Sequence, residues 1–109
     1  MNEWQKKIEN LEDAQREDLK AFDKQFDVIQ DYKRQLLREI EQTYDIFYDL
    51  QQNDASLHNY QQAFERVVDE KAYEMEHLIK DAERRLFNER YELERTHKQQ
   101  IRQLEMRGY

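Results

Sequence analysis

The 109-residue sequence contains no proline, no cysteine and a single glycine, Gly108, while 39% of its residues are charged. A chain so poor in turn formers and so rich in Glu, Lys, Arg, Gln and Leu reads as all-α, and the missing cysteines exclude a disulfide framework or a thiolate metal site. A net charge of −7 argues against a nucleic-acid surface and against adhesion to anionic lipid.

The first fifteen residues, MNEWQKKIENLEDAQ, place acids where a signal peptide would carry its apolar run. No segment approaches the roughly 18 consecutive apolar residues of a membrane span. A cytoplasmic protein with no membrane insertion is therefore expected. From Trp4 onward, Ile8, Leu11, Leu19, Phe22, Phe26, Ile29, Leu36, Ile40, Phe47 and Leu50 recur at spacings of threes and fours. That stripe predicts one amphipathic helix over about residues 2–52. Its heptad slips between Gln15 and Leu19, a stutter that locally unwinds a supercoil.

Between Leu50 and Tyr60, in LQQNDASLHNY, four residues that disfavour helix interiors fall together: Asn53, Asp54, Ser56 and Asn59. A turn near residues 53–58 is expected, with Asn59 and Gln62 at capping-box spacing and Asp54 or Ser56 as caps one turn earlier. The second helix is then expected over about residues 56–107. It carries an eleven-residue repeat, Tyr60, Lys71, Ala82, Leu93 and Leu104 beside Phe64, Met75, Leu86 and His97, which favours a nearly straight or slightly right-handed path.

Folding back near residue 55 gives an antiparallel two-helix hairpin, treated as one domain over residues 1–109. Its expected core draws Ile8, Leu11, Leu19, Phe22, Phe26, Ile29, Leu36, Ile40 and Phe47 from the first helix. The second helix contributes Phe64, Val67, Met75, Leu78, Leu86, Leu93 and Leu104. Charge agrees with the reversal. Residues 1–31 hold nine acids and five bases, net −4, whereas residues 84–107 hold seven bases and four acids, net +3. An antiparallel hairpin lays these stretches side by side, and a parallel homodimer of rods would oppose like charges. The bases of the second arm also have Glu89, Glu92, Glu94 and Glu105 interleaved for pairing along the helix.

A second apolar set lies beside the first: Leu37, Tyr44, Tyr48, Val68, Ile79 and Phe87, with Ile101 continuing the spacing of Val68 and Ile79. Two helices can cover one stripe but not two. This set is expected to receive a helical protein partner through i, i+3, i+4 and i+7 anchors.

Chemistry is sparse. Glu74 with His77, and Glu94 with His97, repeat the Glu-x-x-His spacing of four-helix di-iron sites. The two pairs lie ~30 Å apart along one helix and cannot share a metal pair within a chain. His97 instead falls on the stripe as a partly buried polar residue, and His58 falls in the loop. Neither a Ser/His/Asp set nor a glycine-rich phosphate loop is present, so no enzyme, no metal and no cofactor are expected.

The acidic, proline-free hairpin with the aromatic and charged second helix FERVVDEKAYEMEHLIKDAERRLFNERYELERTHKQQIRQLE, Phe64 to Glu105, resembles the LXG-toxin-associated α-helical proteins. These form the Lap group of the type VIIb secretion systems of Gram-positive bacteria. The resemblance implies a non-enzymatic targeting chaperone that binds the helical N-terminal domain of an LXG toxin, with a second small helical protein alongside, and supports its export. It spans most of the chain and rests on length, composition and aromatic spacing. The Trp-x-Gly turn of related secreted hairpins is missing. So is their export signal of an aromatic residue followed four positions later by an acid, since Tyr44 is followed by Tyr48, Phe87 by Tyr91 and Tyr91 by Arg95. The chain is thus similar to the subtype that lacks its own signal, and co-export with cargo stays open. Two alternatives share the same statistics: a flagellar or type III-like export chaperone, and a structural homo-oligomeric coiled coil.

Overall fold

The structure is a computed structural model and describes residues 2–107. It is an all-α antiparallel hairpin: α1 spans Glu3–Asn53, a 3-10 segment spans Ala55–Tyr60, and α2 spans Gln61–Arg107. No helix among the described residues is long and apolar enough to cross a membrane.

Helix α1 begins with a reciprocal cap. Asn2 Oδ1 accepts from the Gln5 backbone amide at 2.7 Å, and Gln5 Oε1 accepts from the Asn2 amide at 3.4 Å. Asn three residues before Gln is the capping-box arrangement, which satisfies two amides that the first helical turn leaves orphaned. At the other end Asn53 Nδ2 donates to the Asp49 carbonyl at 3.2 Å, and Asp54 leaves the helix with φ −141° and ψ 103°. A single extended residue therefore ends α1 without a glycine, and among the described residues none has positive φ.

Asp54 also caps the 3-10 segment. Its carboxylate accepts from the Ser56 amide at 3.0 Å and from the Ser56 hydroxyl at 2.7 Å. These two bonds, the hydroxyl first, hold the Asp54 carboxyl below its usual pKa. Asp54 thus takes the capping role. Asn59, expected at capping-box spacing, lies inside the 3-10 segment, and α2 starts five residues later than the sequence suggested because that segment comes first.

Two compact units can be distinguished along the hairpin, one holding the described residues up to Asp27 with those from Glu83 onward, the other Val28–Ala82. In the first, Leu86 is buried, and Ile8, Leu11, Leu19, Phe22, Leu93, Ile101 and Leu104 are half-buried between the arms. Polar groups share that seam. Gln15, at 8% exposure, donates its amide to the His97 carbonyl at 3.2 Å, and the Trp4 indole N–H donates to the Leu104 carbonyl. His97 Nε2 lies 3.5 Å from the Asp18 carboxylate, and Arg90 reaches Asp23 at 3.4 Å and Glu94 at 3.3 Å. The acidic and basic arms meet as the charge pattern predicted.

In the Val28–Ala82 unit the seam is Ile29, Leu36, Ile40, Tyr44 and Phe47 on α1 against Phe64, Val68, Ala72 and Ile79 on α2, all half-buried. The Phe47 and Phe64 rings stack with centroids 3.9 Å apart, and Tyr44 meets Phe64 edge-on at 5.6 Å. Next to the turn, buried Gln51 donates to Gln61 at 3.2 Å, and Gln61 donates to Glu65 at 3.1 Å.

Four residues expected in the core lie outside it. Val67, Met75 and Leu78 are 57%, 46% and 62% exposed, and Phe26 sits at the margin with 37%. The phase of α2 explains the first three. Gln61 and Glu65 enter the seam beside the turn, and helical periodicity from them leads to Val68, Ala72 and Ile79, one residue beyond Val67 and Leu78.

Candidate docking surface

The six residues expected to meet a partner divide into two groups. Leu37, Tyr48 and Phe87 point outward, at 50%, 38% and 64% exposure, whereas Tyr44, Val68 and Ile79 are half-buried in the hairpin's own seam. The structure therefore corrects the division of labour on α2: Val68 and Ile79 help hold the hairpin, and Val67, Met75 and Leu78 are on offer.

Even the tyrosines on that side are engaged. Tyr44 donates its hydroxyl to Asp69 at 2.6 Å, and Tyr48 donates to Glu65 at 3.2 Å. The Asp69 hydrogen bond, helped by desolvation and by the charge of the same carboxylate, pushes the Tyr44 pKa up to about 12. The Tyr48 hydroxyl is raised as well, by desolvation first and then by its bond to Glu65. With Glu41 and Glu76 also on this side by helical phase, its surface is acidic and hydrogen-bonded rather than apolar.

The opposite side of the same unit differs. On α1, Val28, Tyr32, Ile46 and Leu50 follow one another at spacings of 4, 14 and 4, which keeps them on one face of a 3.6-residue helix. On α2, Val67 and Leu78 do the same at a spacing of 11, with Met75 between them, and Tyr60, the last residue of the 3-10 segment, precedes them. All eight are between 46% and 64% exposed. An open depression of about 310 Å³ runs between the helices here, bounded by Ile29, Tyr32 and Leu36 on α1 and by Met75, Leu78, Ile79 and Ala82 on α2. A second depression continues it past Leu36, Glu39 and Met75 toward Thr43, Val67 and Lys71.

Half-exposed side chains of this size offer on the order of 400 Å² of apolar surface in total. That is the size of the largest apolar patch on a typical soluble monomer, which often serves an interaction. Glu39, Lys71 and Glu74 are the charges that interrupt it. Each is paired within its own helix: Gln35 donates to Glu39 at 3.1 Å, and Lys71 to Glu74 at 3.5 Å. The signal for this face was present in the sequence as two adjacent apolar pairs, Val67 with Val68 and Leu78 with Ile79, of which only one member of each can enter the seam.

In the other unit a smaller apolar site lies among Phe22, Phe26, Leu86 and Phe87, with Asp23 and Arg90 at its rim. Phe26 and Phe87 thus share a depression, although the sequence assigned one to the core and the other to a partner.

The Glu-x-x-His pairs are held in local interactions. His77 stacks on Tyr73 with centroids 6.2 Å apart and lies 3.9 Å from Asp81, while Glu94 pairs with Arg90 and His97 faces Asp18. Among the described residues, no three His, Asp or Glu side chains are close enough together to hold a metal ion.

No protein-family model, curated protein or solved structure matches the chain. Its own geometry therefore carries the functional reading.

Proposed function

We propose that the chain is a non-enzymatic adaptor that docks a helical partner protein on the apolar face of the Val28–Ala82 unit. The exposed row of Tyr32, Ile46, Leu50, Val67, Met75 and Leu78 carries the reading. A groove between two parallel ridges of apolar side chains suits the apolar stripe of another helix, and large side chains at its centre supply most of the binding energy. The resemblance to the LXG-toxin-associated proteins supports a more specific occupant: the helical N-terminal domain of an LXG-type toxin, delivered by this chain to type VIIb export.

Co-expression with such a toxin domain tests both levels. Leu78→Asp places a charge in the groove without touching the seam, so circular dichroism should stay unchanged while co-purification falls by at least ~10-fold, the equivalent of one hot spot. Leu37→Asp on the opposite, acidic side should bind normally. If Leu78→Asp binds as well as the parent and Leu37→Asp does not, the partner sits on the other side. Failure of the parent chain to bind any toxin domain sinks the export reading.

A further inference from the structure

We propose that, when no partner is bound, a second copy of this chain covers the same face, related by a two-fold axis running parallel to the helices, so that a helical partner gains access by displacing the copy. The proposal deepens the adaptor reading and rests on it for the displacement step.

Self-complementarity carries the argument. The two helices of the unit present matched levels: Tyr32 lies opposite Leu78 across one depression, and Glu39 lies opposite Lys71 across the next. An axis along the hairpin sets α1 of one copy over α2 of the other at an unchanged level. Tyr32 of each copy then meets Leu78 of the other, and Glu39 of each meets Lys71 of the other, so opposite charges face one another twice. All four neighbouring helices run antiparallel, the arrangement of an up-and-down four-helix bundle.

A two-fold axis perpendicular to the helices and centred on the same level would do the reverse. It sets α1 on α1 and brings Glu39 against Glu39 and Lys71 against Lys71, a like-charge arrangement that opposes association. The size is also adequate. From Val28 to Asn53 the face is ~39 Å long at 1.5 Å per residue, and two helices are ~20 Å wide, giving a footprint of ~780 Å² per copy. Stable protein interfaces bury about 800 Å² per partner.

Sedimentation equilibrium of the full chain, alone and in low salt, tests the proposal through a charge exchange. The parent should be dimeric at micromolar concentration. Glu39→Lys alone and Lys71→Glu alone should each weaken the dimer by ~10-fold or more, because each change acts at both symmetry-related sites. The double exchange E39K/K71E should return the dimer to within ~3-fold of the parent, which a merely structural effect of either residue would not do. A monomer at all concentrations up to about 50 μM, or single variants that dimerise like the parent, would overturn the two-fold arrangement, as would a double variant weaker than the singles. Adding the purified toxin domain to the parent dimer should yield a one-to-one heterocomplex. A chain that dimerises as described but takes up no toxin domain counts against the adaptor reading alone, and a monomeric chain that binds the domain through Leu78 counts against self-covering alone.

Discussion

At the scale of single residues, the side chains that define the acidic side of the hairpin are phenols joined to carboxylates. Tyr44 donates to Asp69 at 2.6 Å, a short bond that loses its proton when the phenol ionises. A tyrosine whose folded pKa of about 12 lies above the ordinary value of 10.0 contributes stability that is complete below pH 10 and is lost as pH rises through 12. NMR titration of the Tyr44 ring should therefore give a midpoint of about 12 rather than 10.0. Asp69→Asn should bring its midpoint back toward 10, since the hydrogen bond to the carboxylate is the largest cause of the shift. A Tyr44 midpoint unchanged in Asp69→Asn would mean that the phenol is held by something other than that carboxylate. Tyr44 and Tyr48 were readable from the sequence as bulky residues beside the stripe, but not as donors, because Asp69 and Glu65 lie 25 and 17 positions away.

At the scale of the elements, the turn is closed by stacking as much as by capping. Phe47 and Phe64 are nearly parallel, with 7° between their planes, and Tyr44 packs edge-on against Phe64. Phe64→Ala should cost ~2 kcal/mol in urea unfolding at fixed protein concentration, less than a fully buried ring because Phe64 is half-buried. Leu78→Ala in the same chain, at concentrations below self-association, should cost well under ~1 kcal/mol, since its side chain touches the seam little. Equal losses would return Leu78 to the core where periodicity first placed it. Both helices and the turn were legible because Asn53, Asp54 and Ser56 break an otherwise uniform helical pattern. The phase of α2 was not. Polar residues at Gln51, Gln61 and Glu65 occupy the first seam positions after the turn, and a search for apolar residues passes over them. Gln15 does the same near the stutter, where an amide fills a position that an aliphatic would mark, whereas His97, opposite it, was placed on the stripe by its spacing and is buried. Such hydrogen-bonded polar levels disfavour slipped pairings, since a shift of one position would leave the buried amides without partners.

At the scale of the whole chain, the hairpin encloses little. Leu86 is the one hydrophobic residue buried below a tenth of its surface among the described residues, and the other apolar seam residues keep contact with water. Helices depend on tertiary packing of their apolar faces for most of their stability, and here that packing is half complete. The free chain should accordingly draw stability from whatever covers the Val28–Ala82 face. Because association stabilises the folded form by mass action, melting followed by circular dichroism should shift upward by several degrees between about 2 and 200 μM chain, a hundred-fold range that corresponds to ~2.7 kcal/mol of driving force. On the proposed adaptor role, addition of an LXG-type toxin domain should raise the midpoint further, and Leu78→Asp should remove both increments while leaving the low-concentration melt unchanged. A high midpoint that ignores concentration would show that the seam alone suffices. The exposed row of Tyr32, Ile46, Leu50, Val67, Met75 and Leu78 would then have no thermodynamic need of a cover, and its reading as a docking face would lose its main physical support.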